Sequence, residues 1–330
     1  MSLTFSRGRM PYPTPPLGAP LRLAFVGQAT FFEACALSAD APGMETRFVE
    51  FRQDGDAGQM LADLRAWAPH VVLVFRPEIV PAGLFAELPA ATLGFLTEPL
   101  PRGSTSSHPD LQVRLQALER VDADNFDRIV AFDPNVVEAA ERVLPVWRAL
   151  PLPVDDRYFA DPTPIAGRPR VMFVGRSTEH REQLLTPSKH AFDLLHVAFG
   201  VDAARLDALM REHDVGINLH NEPYPSFENR VSLHLAAGHL VISEPLDPTH
   251  GLEPGIDFVE VGSPAALHDA LALLQRFPNM HQRVRVRGRT KAEGFRASRV
   301  YPRLMHDLLL DLRAFGTQRS SAMRGASRSK

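Results

Sequence analysis

From about residue 21 onward, apolar residues fall in short dense runs that alternate with stretches of helical spacing. LRLAFVG (21–27) is a run ending in glycine, and METRFVEF (44–51) is the next. HVVLVFRP (70–77) is apolar almost without a break, as expected of a parallel strand covered on both faces. ATLGFLTEP (91–99) and DRIVAFDP (127–134) predict a fourth and a fifth strand. Between them, 56–67 carries Met60, Leu61 and Leu64 on one helical face, and a helix from about Asp110 carries Leu111, Leu115 and Leu118. Pro134 predicts a helix start, where proline is tolerated. VWRALPLPV (146–154) closes this half.

A proline-rich stretch, LPLPVDDRYFADPTPIAGRPR, separates this series from a second one of the same kind. The second opens with RVMFVGRS (170–177), again a strand ending in glycine. FDLLHVAFG, a helix over 202–212, strand VGINLH, a helix near 230–237 and strand HLVISEP follow. IDFVEVG (256–262) is a late strand, and Ser263 with Pro264 forms a helix start, hydroxyl as N-cap and proline at the first position. RVRVRGRTK (283–291) predicts a solvated amphipathic helix, and 295–315 a long helix interrupted by Pro302. The pattern predicts an α/β chain with two Rossmann-like domains in tandem. Its divisions are a disordered leader (1–20), a first domain (21–154), a linker (155–169), a second domain (170–294), a helix kinked at Pro302 that crosses back to the first domain (295–315) and a disordered basic tail (316–330).

Composition narrows the chemistry more than the fold. The 330 residues carry a net charge of −3 with neutral histidines, so no global nucleic-acid signature exists and no nucleic-acid partner is expected. Cys35 is the single cysteine, which excludes internal disulfides and cysteine zinc sites; its neighbours Phe31, Phe32 and Ala34 suit a buried thiol. No apolar run reaches the roughly 18 residues that span a bilayer. Prolines stand where a signal peptide has its apolar core, and a cytoplasmic location is expected. The 13 histidines form no HxH or HxxxH pair beside a carboxylate, so no metal site is expected. GxGxxG, Walker A and GxSxG patterns are absent.

The candidate chemistry concentrates in DVGINLHNEPYPSFENRVSLHLAAGHLVISEP (214–245). A strand, a polar loop, a short helix and a second strand put that loop at the carboxyl edge of a parallel sheet, where open α/β folds bind ligands. His220, Glu222, Tyr224, Ser226, Glu228, Asn229 and Arg230 lie in or after the loop, His234 lies in the helix and Glu244 ends the second strand. Gly175 is followed by Arg176 and Arg181; arginine at a helix start suits a diphosphate, because its planar fork matches phosphate oxygens and the helix adds oriented amides. Gly27 ends the first strand and lets a ligand or another segment approach the backbone.

VMFVGRSTEHR, DVGINLH, NRVSLHLAAGHLVISEP, GLEPGIDFVEV and VYPRLMHDLL together resemble the second domain of GT-B glycosyltransferases, nearest to the spore-maturation-type group related to family 4 (group 1). The resemblance covers 170–310; the first half agrees in architecture only. It implies a GT-B fold of two Rossmann-like domains facing a cleft, acceptor on the first and donor on the second. It implies transfer of a hexose from a nucleoside diphosphate sugar to an unidentified acceptor, with retention, and with no metal or bound cofactor. Arg176 and Arg181 would hold the diphosphate with Ser226, Asn229 and Arg230 around it, and Glu228 and Glu244 would meet ribose or sugar. Should the reaction invert, Glu33, Glu98, His108 and Asp110 are candidate bases. One departure stands out. The family places two glutamates before the glycine that matches Gly238; here those positions hold Pro225 and Leu233. Ribose recognition then falls to Glu228, His234 or Glu244, or is absent. Two alternatives follow: a catalytically degenerate nucleotide- or glycan-binding protein, and a nucleotide-sugar epimerase.

Overall fold

The structure, a computed structural model, describes residues 12–102, 109–198, 201–221 and 225–317. The chain forms two compact units, the first made of Met1–Leu152 with Ser298–Lys330 and the second of Pro153–Ala297.

The first unit holds strands β1 (Leu21–Gly27), β2 (Met44–Glu50), β3 (Val71–Phe75), β4 (Ala91–Leu96), β5 (Arg128–Ala131) and β6 (Arg148–Ala149). Helices α1 (Ala29–Phe32), α2 (Ala57–Trp67), α3 (Pro109–Leu118) and α4 (Val137–Ala140) connect them. The sheet order is β2-β1-β3-β4-β5-β6 and every pair is parallel. β3 and β4 are buried along their whole length, which is why their sequences run apolar without alternation. Phe75 stacks on Phe25 and on Phe32, with centroids 6.1 and 5.0 Å away.

The final helix, Ala297–Phe315, belongs to this unit apart from its first residue. It continues through Pro302, which near the helix start removes a single backbone bond. Tyr301 is fully buried, meets Phe25 edge-on at 4.8 Å and donates its hydroxyl to the Cys35 carbonyl. Arg128 and Arg148 fix the helix by ion pairs to Asp311 and Asp307. Of the residues expected to form a leader, Tyr12 is buried and donates to Asp127 Oδ1 at 2.6 Å. The same carboxylate accepts from the Thr92 amide at 2.7 Å and from the Thr317 hydroxyl.

The second unit holds β7 (Val171–Val174), α5 (Glu179–Ala191), β8 (Leu194–Val197), α6 (Ala203–Glu212), β9 (Val215–Asn218), α7 (Asn229–Ala236), β10 (Leu240–Ser243), β11 (Val259–Glu260), α8 (Pro264–Arg276) and α9 (Gln282–Ala292). Its sheet order is β11-β10-β9-β7-β8, again all parallel. Thr178, Asp202 and Ser263 cap α5, α6 and α8 by accepting from Arg181, Arg205 and Ala266 amides. α9 is not wholly solvated as its basic run suggests. Arg285 turns inward and donates to the carbonyls of Gly238 and Thr163 at 3.0 and 2.8 Å. Gly288 lets the helix approach so closely that a Cβ there would lie 2.5 Å from the Asp257 carbonyl. The unit closes on itself: Val154 donates to Phe295 O at 2.7 Å, and the Ala297 amide donates back to Val154 O at 2.8 Å.

Candidate functional site

Renumbered from its first strand, the second sheet reads 2-1-3-4-5. In that order β7 and β9 are neighbours whose connections leave in opposite directions along the sheet, and ligands bind at the carboxyl ends of such a pair. Those ends are Gly175 after β7 and Leu219 with His220 after β9.

Two guanidinium groups converge there. Arg181, from the first turn of α5, is buried at 3% exposure. Its Nε donates to the carbonyls of Leu219 and His220, both at 3.1 Å, and its Nη1 donates to Arg176 O at 3.1 Å and Asn221 Oδ1 at 3.2 Å. Arg230, from the first turn of α7, donates from Nη1 to Leu219 O at 3.3 Å. Both lie over the Phe173 ring, 5.4 and 5.3 Å from its centroid. Gly175 makes room for them: a Cβ there would stand 3.2 Å from Arg230 Nη1 and 3.3 Å from Arg181 Nη1. Burial, and then the neighbouring Arg181 charge, pull the Arg230 guanidinium well below its ordinary value, while Glu244 opposes them. A cation so destabilised favours an anion beside it. Glu228 is that anion in this structure. Its carboxylate receives Arg181 Nη2 at 3.4 and 3.5 Å and also accepts from Arg230 Nη2.

A second layer fixes His220. Its Nε2 donates to Pro245 O at 2.7 Å, which leaves Nδ1 to accept from the Ser226 hydroxyl at 3.0 Å. Burial holds the ring below its usual value, so it is neutral near pH 7. Glu244 accepts from the His220 amide at 2.7 Å and from His180 Nε2 at 2.8 Å. The Glu244 carboxylate thus orders the β9 end from the β10 end.

The structure therefore brings together Gly175, Arg181, His220, Ser226, Glu228, Arg230 and Glu244. Arg176 stands at the rim, donating to Asn221 Oδ1 at 3.4 Å, and Asn229 is exposed at the start of α7. Glu222, Tyr224 and His108 lie outside the described residues. His234 is not with the cluster. It is buried in α7 against Gly216, where a Cβ would lie 2.2 Å from the ring, and its Nδ1 meets His239 Nδ1 at 3.0 Å. Gly27 and Glu98 belong to the first unit: a Cβ at Gly27 would be 3.2 Å from Phe75 Cβ, and Glu98 pairs with Arg114 at 3.2 Å. His180 and Asn221, which lie in the two stretches the sequence points to, join the site: His180 precedes Arg181 in the first turn of α5, and Asn221 follows β9 and accepts from Arg176 and Arg181. Among the described residues no group of three or more His, Cys, Asp or Glu could hold a metal ion, and no helix is long and apolar enough to cross a membrane.

At the level of sequence, no family model and no curated protein matches the chain. Solved structures do. HepE of Anabaena in complex with UDP-glucose superposes with a TM-score of 0.55 at 12% identity, covering 87% of this chain and 99% of HepE. The fold is that of GT-B glycosyltransferases. Sucrose-phosphate synthase from Thermosynechococcus elongatus shares this GT-B fold, with a TM-score of 0.53 at 11% identity, covering 88% of this chain and 99% of that one. So does AviGT4, a glycosyltransferase of avilamycin A biosynthesis, with a TM-score of 0.55 at 12% identity over 90% of this chain and 99% of that one.

Proposed function

We propose that this protein is a glycosyltransferase that transfers a hexose from a nucleoside diphosphate sugar, and that the second unit holds the donor. The observation that carries the reading is the convergence of Arg181 and Arg230 at the switch point of the second sheet, under a glycine that keeps the strand end open. Paired guanidinia match diphosphate oxygens in geometry and charge. As the sugar–phosphate bond breaks, negative charge grows on the leaving diphosphate, and fixed cations at that point lower the barrier. With two such charges in place the reading needs no metal ion, and retention follows the group that the sequence resembles. HepE holds UDP-glucose, which makes uridine nucleotides the first donors to try.

Calorimetric titration with UDP, GDP and ADP tests the site and names the base together. One nucleoside diphosphate should bind, and Arg230→Ala should weaken it at least tenfold, the loss expected for a charge-assisted phosphate contact of roughly 1.5–3 kcal/mol. Unchanged affinity in that variant would place the site elsewhere. A second reading, a nucleotide-binding protein without turnover, draws on Leu233, which is buried in α7 where the resembling family carries a glutamate. Release of free sugar or glycosylated acceptor from the matching nucleotide sugar separates the two.

A further inference from the structure

Glu228 has the position of a helix cap but does not act as one. Its backbone is extended at φ −93° and ψ 147°, as a cap requires, yet its side chain accepts from no backbone amide of the first turn of α7. The caps of α5, α6 and α8 all make that bond. The Glu228 carboxylate turns instead to Nη2 of Arg181 and Nη2 of Arg230, with His220 Nδ1 3.9 Å from Oε1.

Neither guanidinium depends on it alone for its place. Arg181 is held through Nε and Nη1 by the Leu219, His220 and Arg176 carbonyls and by Asn221, and Arg230 is held through Nη1 by the Leu219 carbonyl. What Glu228 occupies is Nη2 of each arginine. It is also the more accessible partner, with 21% of its side chain exposed against 3% for Arg181. Of the two carboxylates that act on Arg230, Glu228 alone bonds its guanidinium, while Glu244 is engaged by the His220 amide and by His180.

We propose that Glu228 is a built-in competitor of the diphosphate: its carboxylate holds the place of a phosphate between Arg181 and Arg230, and the ligand must displace it to bind. This rests on the reading of the site as a diphosphate site. Two consequences follow. A diphosphate brings more charge than a carboxylate and wins the exchange, whereas a weak monovalent anion does not. Affinity is reduced by the fraction of molecules in which Glu228 has swung away, as for any site whose competent state is only partly populated.

The test is calorimetric titration of the full chain with UDP and with inorganic pyrophosphate, in the unaltered protein, Glu228→Gln and Glu228→Ala, with thermal melting to confirm that each is folded. Both variants should bind UDP and pyrophosphate more tightly, by roughly tenfold. Equal or weaker binding in folded variants, with UDP still bound by the unaltered protein and lost in Arg230→Ala, overturns the competitor and leaves the donor site standing. Absence of binding of either probe to any of the proteins overturns the diphosphate reading and the competitor with it.

Discussion

Arg230 and His234 are four residues apart in α7, one helical turn, and that step separates two chemistries. Arg230 reaches the end of β9 at Leu219, and His234 lies over its middle at Gly216. The sequence shows that both face the sheet but not how far along a strand each one reaches. The glycine inside β9 was the missed signal, since a glycine in a strand often marks a close approach. His239 donates through Nε2 to Met210 O at 2.8 Å, so its Nδ1 accepts from His234 and both rings are neutral. Burial pushes His239 from 6.5 down to about 4 and carries His234 well below its usual value as well. With folded values depressed, the unfolded chain takes up protons first. For His239, stability is then full above about pH 6.5, falls as pH drops towards 4, and levels off below that. For His239 alone the loss is on the order of 3 kcal/mol. Urea melts between pH 7.5 and 4 should show this slope, and His239→Gln, which keeps a donor for Met210, should flatten it by up to one proton's worth; an unchanged slope would remove the pair as its source.

Elements were more legible than side-chain destinations. Each strand run lies where the alternation of apolar and turn residues places it, and Ser263 with Pro264 starts α8 as capping chemistry predicts. Arg285 was obscured because its neighbours Arg283 and Arg287 are exposed, and a run of like charges reads as one solvated face. Gly238 shows how an element is ended. It sits at φ +73° after α7, its amide bonds Leu235 O at 3.1 Å, and the His239 amide bonds His234 O at 3.0 Å, the paired bonds of a left-handed helix stop. A Cβ there would lie 2.9 Å from the Ala160 carbonyl. Gly238→Ala should therefore cost about 1–3 kcal/mol in a denaturant melt, combining backbone strain with a clash against main chain. A cost near zero would show that 160–162 moves freely.

For the whole molecule, the doubling of strand-to-glycine units announced two Rossmann-like sheets, and the similarity to HepE and AviGT4 extends that to the GT-B fold. The discontinuity of the first unit was only partly legible. A run of polar and proline residues reads as a free leader, yet Tyr12 is buried against Asp127, a contact between positions 115 apart that no local pattern encodes. Asp127→Ala would strip acceptors from Tyr12, the Thr92 amide and Thr317 together. It should destabilise the protein by about 2–4 kcal/mol while leaving UDP affinity unaltered, which melting and calorimetry on the same variant would check.

The paired ends of the second unit bear on the order of folding. Until Val154 meets Arg296 in their isolated bridge, the two parts of the first unit are tethered by a long unstructured loop, and closing such a loop costs entropy. Once 153–297 has folded, the loop is already closed and Tyr301 arrives near its partners at little further cost. Residues late in the chain thus complete the part that was synthesised first, and burial of Tyr301 in refolding is expected to follow protection of the β7–β10 amides.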